Sequence, residues 1–158
     1  MYQYQCFTNR TRPRSTAQID AIVWHARRIP RSHGKHITGL HSPGPGMPLI
    51  PHESLTEKAV IGRLLGRPEV RLVLAQPFTV HYRVQGRRRR YTPDLLAVVQ
   101  PVPRALARLG FAIVTVVEVK GRFPRVSGYV VRLQACAAAT GMPVILIRRT
   151  GPEVCYAL

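Results

Sequence analysis

Three carboxylates and one lysine occupy positions in this chain of 158 residues where side chains could perform hydrolysis. Asp94 follows Tyr-Thr-Pro after a run of four arginines, and Glu118 and Lys120 end an apolar run. Glu57 comes earlier, at the start of a segment with helical spacing of apolar residues. Acids are scarce, because 7 Asp and Glu stand against 24 Lys and Arg. Carboxylates kept at the ends of hydrophobic segments in such a basic chain indicate a functional use.

The residue types suit hydrolysis of a phosphodiester bond with the help of a metal ion. That reaction needs an activated water and a stabilised leaving oxygen, and oxygen ligands that hold one or two Mg²⁺ ions supply both. We expect Asp94, Glu118 and the backbone carbonyl of Val119 to be ligands, and Mn²⁺ to substitute for Mg²⁺. Glu118 and Lys120 are two positions apart, so a strand would point both side chains to one face. Lys120 would then orient the attacking water or help to deprotonate it, which arginine could not readily do.

The charge of the chain points to an anionic partner. A formal net charge of +17 favours double-stranded DNA, because each neutralised phosphate releases counterions. A genome-wide arginine bias explains the same composition, since Lys35, Lys58 and Lys120 are the only lysines. The charge therefore gives a class of partner and no more.

Length and hydrophobicity predict a single globular domain, since 158 residues with 46% hydrophobic content suffice for one core. Cys6, Cys136 and Cys155 form no CxxC pair, so we expect ordinary thiols in a reducing compartment, with Cys136 buried. No segment resembles a signal peptide or approaches the roughly 20 apolar residues that cross a bilayer. We expect a cytoplasmic, nucleoid-associated protein of bacterial or phage origin, without membrane association.

The first 50 residues are predicted to be a basic, loop-rich extension, and residues 51–158 the catalytic core. Ile19, Ile22 and Trp24 lie at roughly helical spacing, which predicts a short helix over residues 15–28. Proline and glycine are dense between residues 30 and 51, which indicates loop or extended strand.

The core pattern predicts an α/β fold with the element order α-β-β-β-α-β. Ser54 and Glu57 match a capping box that begins the first helix. The second helix is predicted over residues 126–139, and Pro93 indicates an edge or a bulge beside Asp94. The strands are predicted over residues 78–84, 88–99, 111–120 and 144–147. The apolar face of the first helix is predicted to comprise Leu55, Ala59, Ile61, Leu64 and Leu65.

Four ordered motifs resemble those of TnsA-type endonucleases of heteromeric transposases, within the PD-(D/E)XK nuclease superfamily. They are residues 53–57, Gln76-Pro77, Tyr-Thr-Pro-Asp94 and Val-Glu-Val-Lys120, and the resemblance covers about residues 50–125. It implies a restriction-endonuclease-like mixed sheet flanked by helices, and a Mg²⁺-dependent DNA endonuclease that cuts one strand at the transposon end. It also implies a DDE transposase and an AAA+ ATPase regulator as partners.

The resemblance assigns roles to individual residues. Glu57 would be the helix acid, Asp94 the principal metal ligand, Glu118 the second ligand and Lys120 the catalytic lysine. Gln76 would be a family signature. The prototype of the family also carries a C-terminal domain that contacts the ATPase, and this chain is expected to lack a separate domain of that kind.

Structural alternatives stand beside these assignments. Glu57 would serve a capping box whether or not it is catalytic, and Glu53 competes with it as the helix acid. Asp94 after Thr-Pro could be a turn residue. Glu118 and Lys120 could form a surface ion pair on one strand face.

Two groups of arginines are candidates for contact with DNA. The first lies on the hairpin that leads into Asp94, where it forms either a phosphate grip or a solvated edge that deters aggregation; it comprises Arg87, Arg88, Arg89 and Arg90. The second lies in a basic arm and comprises Arg10, Arg12 and Arg14. On the second helix, Tyr129 and Gln134 are accessory candidates that either face the active site or pack in the core.

Two other functions fit the same residues. One is a stand-alone PD-(D/E)XK nuclease of a phage or mobile element, acting alone or as a homodimer without a transposase. The other is an inactive DNA-binding or scaffolding module that keeps the fold. Intact Asp94, Glu118 and Lys120 count against the inactive module.

Overall fold

The computed structural model describes residues 1–8, 17–25, 37–121 and 129–149. Ten strands and three helices lie within these ranges. The helices are α1 (Leu55–Leu65), α2 (Arg104–Arg108) and α3 (Tyr129–Thr140). The strands are β1 (Tyr2–Phe7), β2 (Gln18–Trp24), β3 (Gly39–His41), β4 (Ile50–His52), β5 (Val70–Ala75), β6 (Phe78–Val84), β7 (Arg87–Tyr91), β8 (Leu95–Val99), β9 (Val114–Lys120) and β10 (Val144–Arg149).

Five strands form a mixed sheet in the order β1-β10-β9-β8-β5. The central strand β9 runs parallel to β10 and antiparallel to β8, and the outer pairs β1–β10 and β5–β8 are antiparallel. The apolar sequence of β9 is buried from Thr115 to Val119, as expected for a strand covered on both faces. The prediction of an α/β fold with a mixed sheet is confirmed.

A second sheet of three strands has the order β2-β6-β7, and β3 pairs with β4 alone. β6 alternates, so that Phe78, Val80 and Tyr82 join the core. Thr79 and His81 point to the opposite face, which we call the outer face of the three-stranded sheet. The ring of Trp24 on the edge strand β2 packs at 4.8 Å from the ring of Phe78 and remains 58% exposed.

The main sheet separates two hydrophobic clusters. α1 and α2 cover one face, where Val117 and Val119 of β9 pack with Ile61 and Leu106. α3 covers the other face, where Val116 belongs to the second cluster. Side chains alternate along β9, so Glu118 and Lys120 lie on the α3 side.

α1 begins at its predicted cap, because the Ser54 hydroxyl accepts the N–H of Glu57 at 3.1 Å. The predicted apolar face is partly wrong, since Leu55 and Ala59 are exposed. The buried stripe consists of Val60, Ile61 and Leu64. Glu57 lies three and four positions before Val60 and Ile61, which sets it on the buried side of the helix.

The predicted helix over residues 15–28 is wrong for the residues described there, which form strand β2. The register of β2 against β6 shifts between Ile19 and Ala21, as in a β-bulge. An extra residue at this point brings Ile19 and Ile22 to the same face, with Tyr82 and Val80 as their partners. In this bulged strand, apolar residues of one face are therefore three positions apart, a spacing that is also typical of a helix.

The predicted single strand over residues 88–99 is also wrong. The chain leaves β7 after Tyr91 and enters β8 at Leu95, so the two halves belong to different sheets. Strands β1 and β5 and the short helix α2 were not predicted. The prediction of a loop-rich extension over residues 1–50 is wrong for β1, which is an edge strand of the main sheet. The main sheet regains the order α-β-β-β-α-β through α1, β5, β8, β9, α3 and β10, with the β6–β7 hairpin inserted.

The strands predicted over 111–120 and 144–147 are confirmed with shifted ends, as β9 and β10. The second helix is confirmed as α3, and residues 126–128 of its predicted span lie outside the described residues. Cys136 is buried in α3, as expected, and carries a free thiol. In the described part of the chain, no helix has both the length and the apolar character needed to cross a membrane.

Candidate active site

Asp94 lies where the chain crosses from the three-stranded sheet to the five-stranded sheet. Its backbone carbonyl accepts the N–H of Gln76 at 2.9 Å. Its carboxylate oxygen Oδ2 accepts the N–H of Val119 at 2.7 Å. These two bonds fix Asp94 against the carboxyl end of β9, where the predicted Glu118 and Lys120 are found.

Glu118 is 1% exposed and is surrounded by three donors. The phenol of Tyr91 donates to Oε2 at 2.6 Å. The Lys120 ammonium lies 2.8 Å from Oε1, and the guanidinium of Arg132 lies 3.4 Å from the same oxygen. A buried carboxylate needs such partners, because removing an unpaired charge from water is costly. Glu118 is therefore not a surface ion-pair residue, which was the structural alternative.

The ammonium of Lys120 contacts both carboxylates, since Nζ is also 3.3 Å from Oδ2 of Asp94. One cation thus joins three of the predicted residues in a single cluster. Burial acting alone would lower the pKa of Lys120, but Asp94 and Glu118 raise it above its ordinary value. The lysine stays protonated, and a protonated lysine donates hydrogen bonds but accepts none.

Burial raises the pKa of Asp94 to about 8, and the neighbouring Glu118 carboxylate adds to the rise. Lys120 and the Val119 N–H act in the opposite direction, while Glu57 raises the pKa further. The cluster therefore brings three acids, Glu57, Asp94 and Glu118, near two cations, Lys120 and Arg132. A bound divalent cation would relieve this crowding directly.

Glu57 makes the bonds of a helix cap and also interacts with the cluster. Its carboxylate accepts the N–H of Glu53 at 2.8 Å and the hydroxyl of Ser54 at 3.1 Å. Burial raises the pKa of Glu57, and the charge of Lys120 lowers it in part. The capping alternative thus describes its hydrogen bonds, while its electrostatic interactions with Asp94 and Lys120 bring it to the edge of the site.

The two accessory candidates near Asp94 and Glu57 differ in their positions. Glu53 offers its backbone N–H to Glu57, and its charge contributes to the raised pKa of Glu57. Gln76 has a φ of 45°, an unfavourable left-handed conformation for a residue other than glycine. Its side chain is 5% exposed, and the buried Oε1 has no hydrogen-bond partner among the described residues. Gln76 is thus a strained residue with an unsatisfied oxygen, bonded through its backbone to Asp94.

Sequence reasoning missed two residues that contact Glu118, namely Tyr91 and Arg132. The Arg132 guanidinium stacks over the ring of Tyr129 at 3.8 Å and lies 5.5 Å from the ring of Tyr91. The ring of Tyr129 also lies 5.5 Å from the Lys120 ammonium, which brings this accessory candidate to the site. One signal was available, because Arg132 is the only charged residue of α3.

The remaining candidate residues lie in different parts of the structure. Gln134 is buried on α3, and its role at the site stays a prediction. The register divides the arginine run, since Arg89 pairs with the core-facing Tyr82, whereas Arg90 pairs with His81 on the outer face. By alternation, Arg87 shares the side of Arg89, and Arg88 shares the side of Arg90. Arg10, Arg12 and Arg14 lie outside the described residues.

The donor chemistry of the cluster fits a hard divalent cation. Mg²⁺ prefers oxygen ligands and uses one or two carboxylates, which Asp94 and Glu118 supply. Gln76 offers an additional, unsatisfied amide oxygen, and its backbone N–H donates to the carbonyl of Asp94. Among the described residues, no three His, Cys, Asp or Glu side chains form a ready metal cage. The acids are instead paired with Lys120, which a bound cation would have to displace in part.

Comparisons with models of known protein families, with curated proteins and with solved structures found no match to this chain.

Proposed function

We propose that this protein is a Mg²⁺-dependent DNA endonuclease of the PD-(D/E)XK type and serves as the TnsA-like subunit of a transposition system. The observation that carries the proposal is the convergence of Asp94 and Glu118 on the ammonium of Lys120. These residues come from the ends of two adjacent strands and match the acid and lysine pattern of the motifs.

The element order of the main sheet supports this proposal. Its members α1, β5, β8, β9, α3 and β10 give three antiparallel strands followed by a fourth strand parallel to the third. That arrangement agrees with the mixed sheet expected for a restriction-endonuclease-like core. The cluster lies at the start of β8 and the end of β9.

Each residue of the cluster has a defined task in the proposed reaction. Asp94 and Glu118, with the Val119 carbonyl and Glu57, would hold the metal, which would supply polarisation of the phosphodiester and activation of a water. Lys120 orients the attacking water as a cation, which its raised pKa favours over a role as base. The products are a 3′-hydroxyl and a 5′-phosphate.

Tyr91 and Arg132 are positioning residues in this proposal. They bond opposite oxygens of Glu118 and so fix the carboxylate plane. Arg89 lies on the core-facing side of the hairpin beside Tyr82. Burial raises the pKa of Tyr82, and the charges of Arg132 and Arg89 offset part of that rise. The arginines of the hairpin would contact the DNA backbone, which orients the duplex without reading its sequence.

The proposal is tested by nicking of supercoiled plasmid in Mg²⁺ or Mn²⁺ at low salt. Asp94→Asn keeps the size of the side chain but removes its charge, and we expect it to lower metal-dependent nicking at least about a hundredfold. Asp20→Asn is the matched control, because Asp20 pairs with Arg83 in an exposed ion pair away from the site. Equal nicking by Asp94→Asn and wild type would overturn the assignment.

The same assay separates the alternatives. Nicking by the isolated chain indicates an autonomous nuclease, either monomeric or as a homodimer. Cleavage that appears only when a DDE transposase and an AAA+ ATPase are added indicates a subunit gated by partners. Binding of DNA without cleavage under either condition indicates an inactive DNA-binding module.

A further inference from the structure

A polar pocket of about 360 Å³ opens on the outer face of the three-stranded sheet. Three strands and the residues that follow two of them supply its walls. No acidic side chain is among the described residues that line it, which are Val23, His25, Thr79, His81, Arg90 and Thr92.

The strand register explains why these side chains meet. His81 of β6 pairs with Arg90 of β7, so both project to the outer face. Thr79 pairs with Val23 of β2 and projects to the same face. Thr92 continues the alternation two residues beyond Arg90. The apolar partners of the same strands project to the opposite face and hold the sheet on α3.

A chain of hydrogen bonds joins three of the pocket residues. Nε2 of His25 is 2.8 Å from the hydroxyl of Thr79, which is 2.6 Å from the hydroxyl of Thr92. When His25 donates from Nε2, Thr79 donates to Thr92, and the hydroxyl proton of Thr92 is left to donate to a ligand. Thr79 is only 7% exposed, so the chain is anchored within the sheet.

The chemistry of this pocket suits an oxyanion. Arg90 supplies a permanent charge and a planar set of donors, and His81 and Thr92 supply further donors. Arg88 extends the positive charge along the same face, and Arg83, which pairs with Arg88, is bound to Asp20 at 3.1 Å. Positive charge and hydroxyl donors, with no acid among the described lining residues, together describe a phosphate site.

We infer that this pocket binds a backbone phosphate of the DNA strand next to the scissile phosphate. The inference rests on the proposed nuclease function and adds a second anchoring point to it. Thr92 and Asp94 are two residues apart, so their Cα atoms lie within about 7 Å of each other. The pocket and the carboxylate cluster are thus connected by one short segment of the chain. Arg90 and Thr92 bind the phosphate, while His25 and Thr79 orient the hydroxyl of Thr92.

The test measures DNA binding by the full chain in EDTA, so that binding is observed without cleavage. The probe is a short fluorescein-labelled duplex followed by anisotropy. Thr92→Val keeps the size and charge but removes the hydroxyl, and we expect about tenfold weaker binding. Thr92→Ser keeps the hydroxyl and is expected to bind like the wild type.

The salt dependence of the same binding tests the charge in the pocket. Arg90→Ala is expected to reduce the slope of log K against log salt by about 0.9, the value for one lost phosphate contact. Arg104→Ala is the matched control, because it removes one exposed cation from α2 on the opposite side of the main sheet. Its slope is expected to equal that of the wild type.

The inference is overturned when Thr92→Val binds as tightly as Thr92→Ser, or when Arg90→Ala and Arg104→Ala have the same slope. Absence of DNA binding by the wild type overturns it as well. Because Arg90 is exposed, its variant decides the matter should Thr92→Val fail to fold. Nicking by the wild type with unchanged binding by both pocket variants rejects the pocket and keeps the nuclease. DNA binding that depends on the pocket, without nicking, keeps the pocket and rejects the nuclease.

Discussion

Glu118 is a carboxylate buried among apolar side chains, and its donors come from three different elements. Tyr91 belongs to β7, Lys120 to β9 and Arg132 to α3. Removing a partner from a buried carboxylate strongly destabilises the folded protein. The three elements must therefore dock together for Glu118 to be accommodated. The geometry of the candidate site and the packing of α3 are therefore coupled through one side chain.

Asp94 would make the proposed metal binding dependent on pH. Burial and Glu118 raise its pKa to about 8, so a fall in pH favours its protonated form in the metal-free protein. A metal binds the ionised form and must displace that proton. We expect affinity for Mn²⁺ to rise about tenfold per pH unit below pH 8 and to level off above it.

Titration calorimetry in buffers of different ionisation enthalpy checks this prediction, since it counts the protons released on binding. Asp20→Asn should release the same number as the wild type, whereas Asp94→Asn should release fewer. A Mn²⁺ affinity that is flat between pH 6 and pH 8 would contradict it.

At the scale of residues, Asp94 and Glu118 could be predicted from the sequence, but the residues that bond to Glu118 from β7 and α3 could not. Asp94 and Glu118 were found because carboxylates are scarce and stand at the ends of apolar segments. Tyr91 and Arg132 reach Glu118 only through the docking of β7 and α3, which no local pattern encodes. Gln76 was named from the motif, but its positive φ and unsatisfied oxygen depend on tertiary structure.

At the scale of elements, the cap of α1 connects helix stability to the site. The Ser54 hydroxyl accepts the N–H of Glu57 and donates to its carboxylate. We expect Ser54→Ala to lower the free energy of unfolding by about 1 kcal/mol, because it removes the side-chain cap. Urea unfolding followed by circular dichroism measures this change.

Ser54→Asn is the control for this prediction, because asparagine caps helices as well as serine does. It should unfold close to the wild type. Equal stability of Ser54→Ala and wild type would show that the cap does not hold α1. Nicking assays on Ser54→Ala would then show whether Glu57 keeps its position without it.

The errors in predicting elements have local physical causes. The bulge in β2 changed the phase of alternation, so Ile19 and Ile22 share one face at a spacing typical of a helix. The segment 88–99 was predicted as one strand because Pro93 was interpreted as an edge position or a bulge within it. Only the tertiary structure shows that the chain changes sheets there, and that change is what presents Asp94.

At the scale of the whole molecule, a net charge of +17 acts against compactness and in favour of anions. Salt screens the repulsion among these charges and also competes with DNA. We expect NaCl at about 0.2 M to raise the thermal unfolding temperature and to weaken DNA binding at the same time. Thermal unfolding and anisotropy at matched salt concentrations measure the two effects.

MgCl₂ at equal ionic strength is the control for a specific metal effect. A further rise in unfolding temperature with MgCl₂ for the wild type, absent in Asp94→Asn, would be assigned to the site. An unfolding temperature that falls with NaCl would contradict the repulsion argument. It would mean that ion pairs such as Arg83 with Asp20 outweigh it.

Trp24 gives the protein an optical property of its own. It is the only tryptophan in the chain, it lies on an edge strand against Phe78, and it immediately precedes His25. Its indole is more than half exposed, so the wavelength of its fluorescence emission depends on the solvent beside the three-stranded sheet. The fluorescence of this single tryptophan would therefore report binding or conformational change at β2 without an attached dye. The rate of such a change could then be measured separately from the rate of any change at the carboxylates.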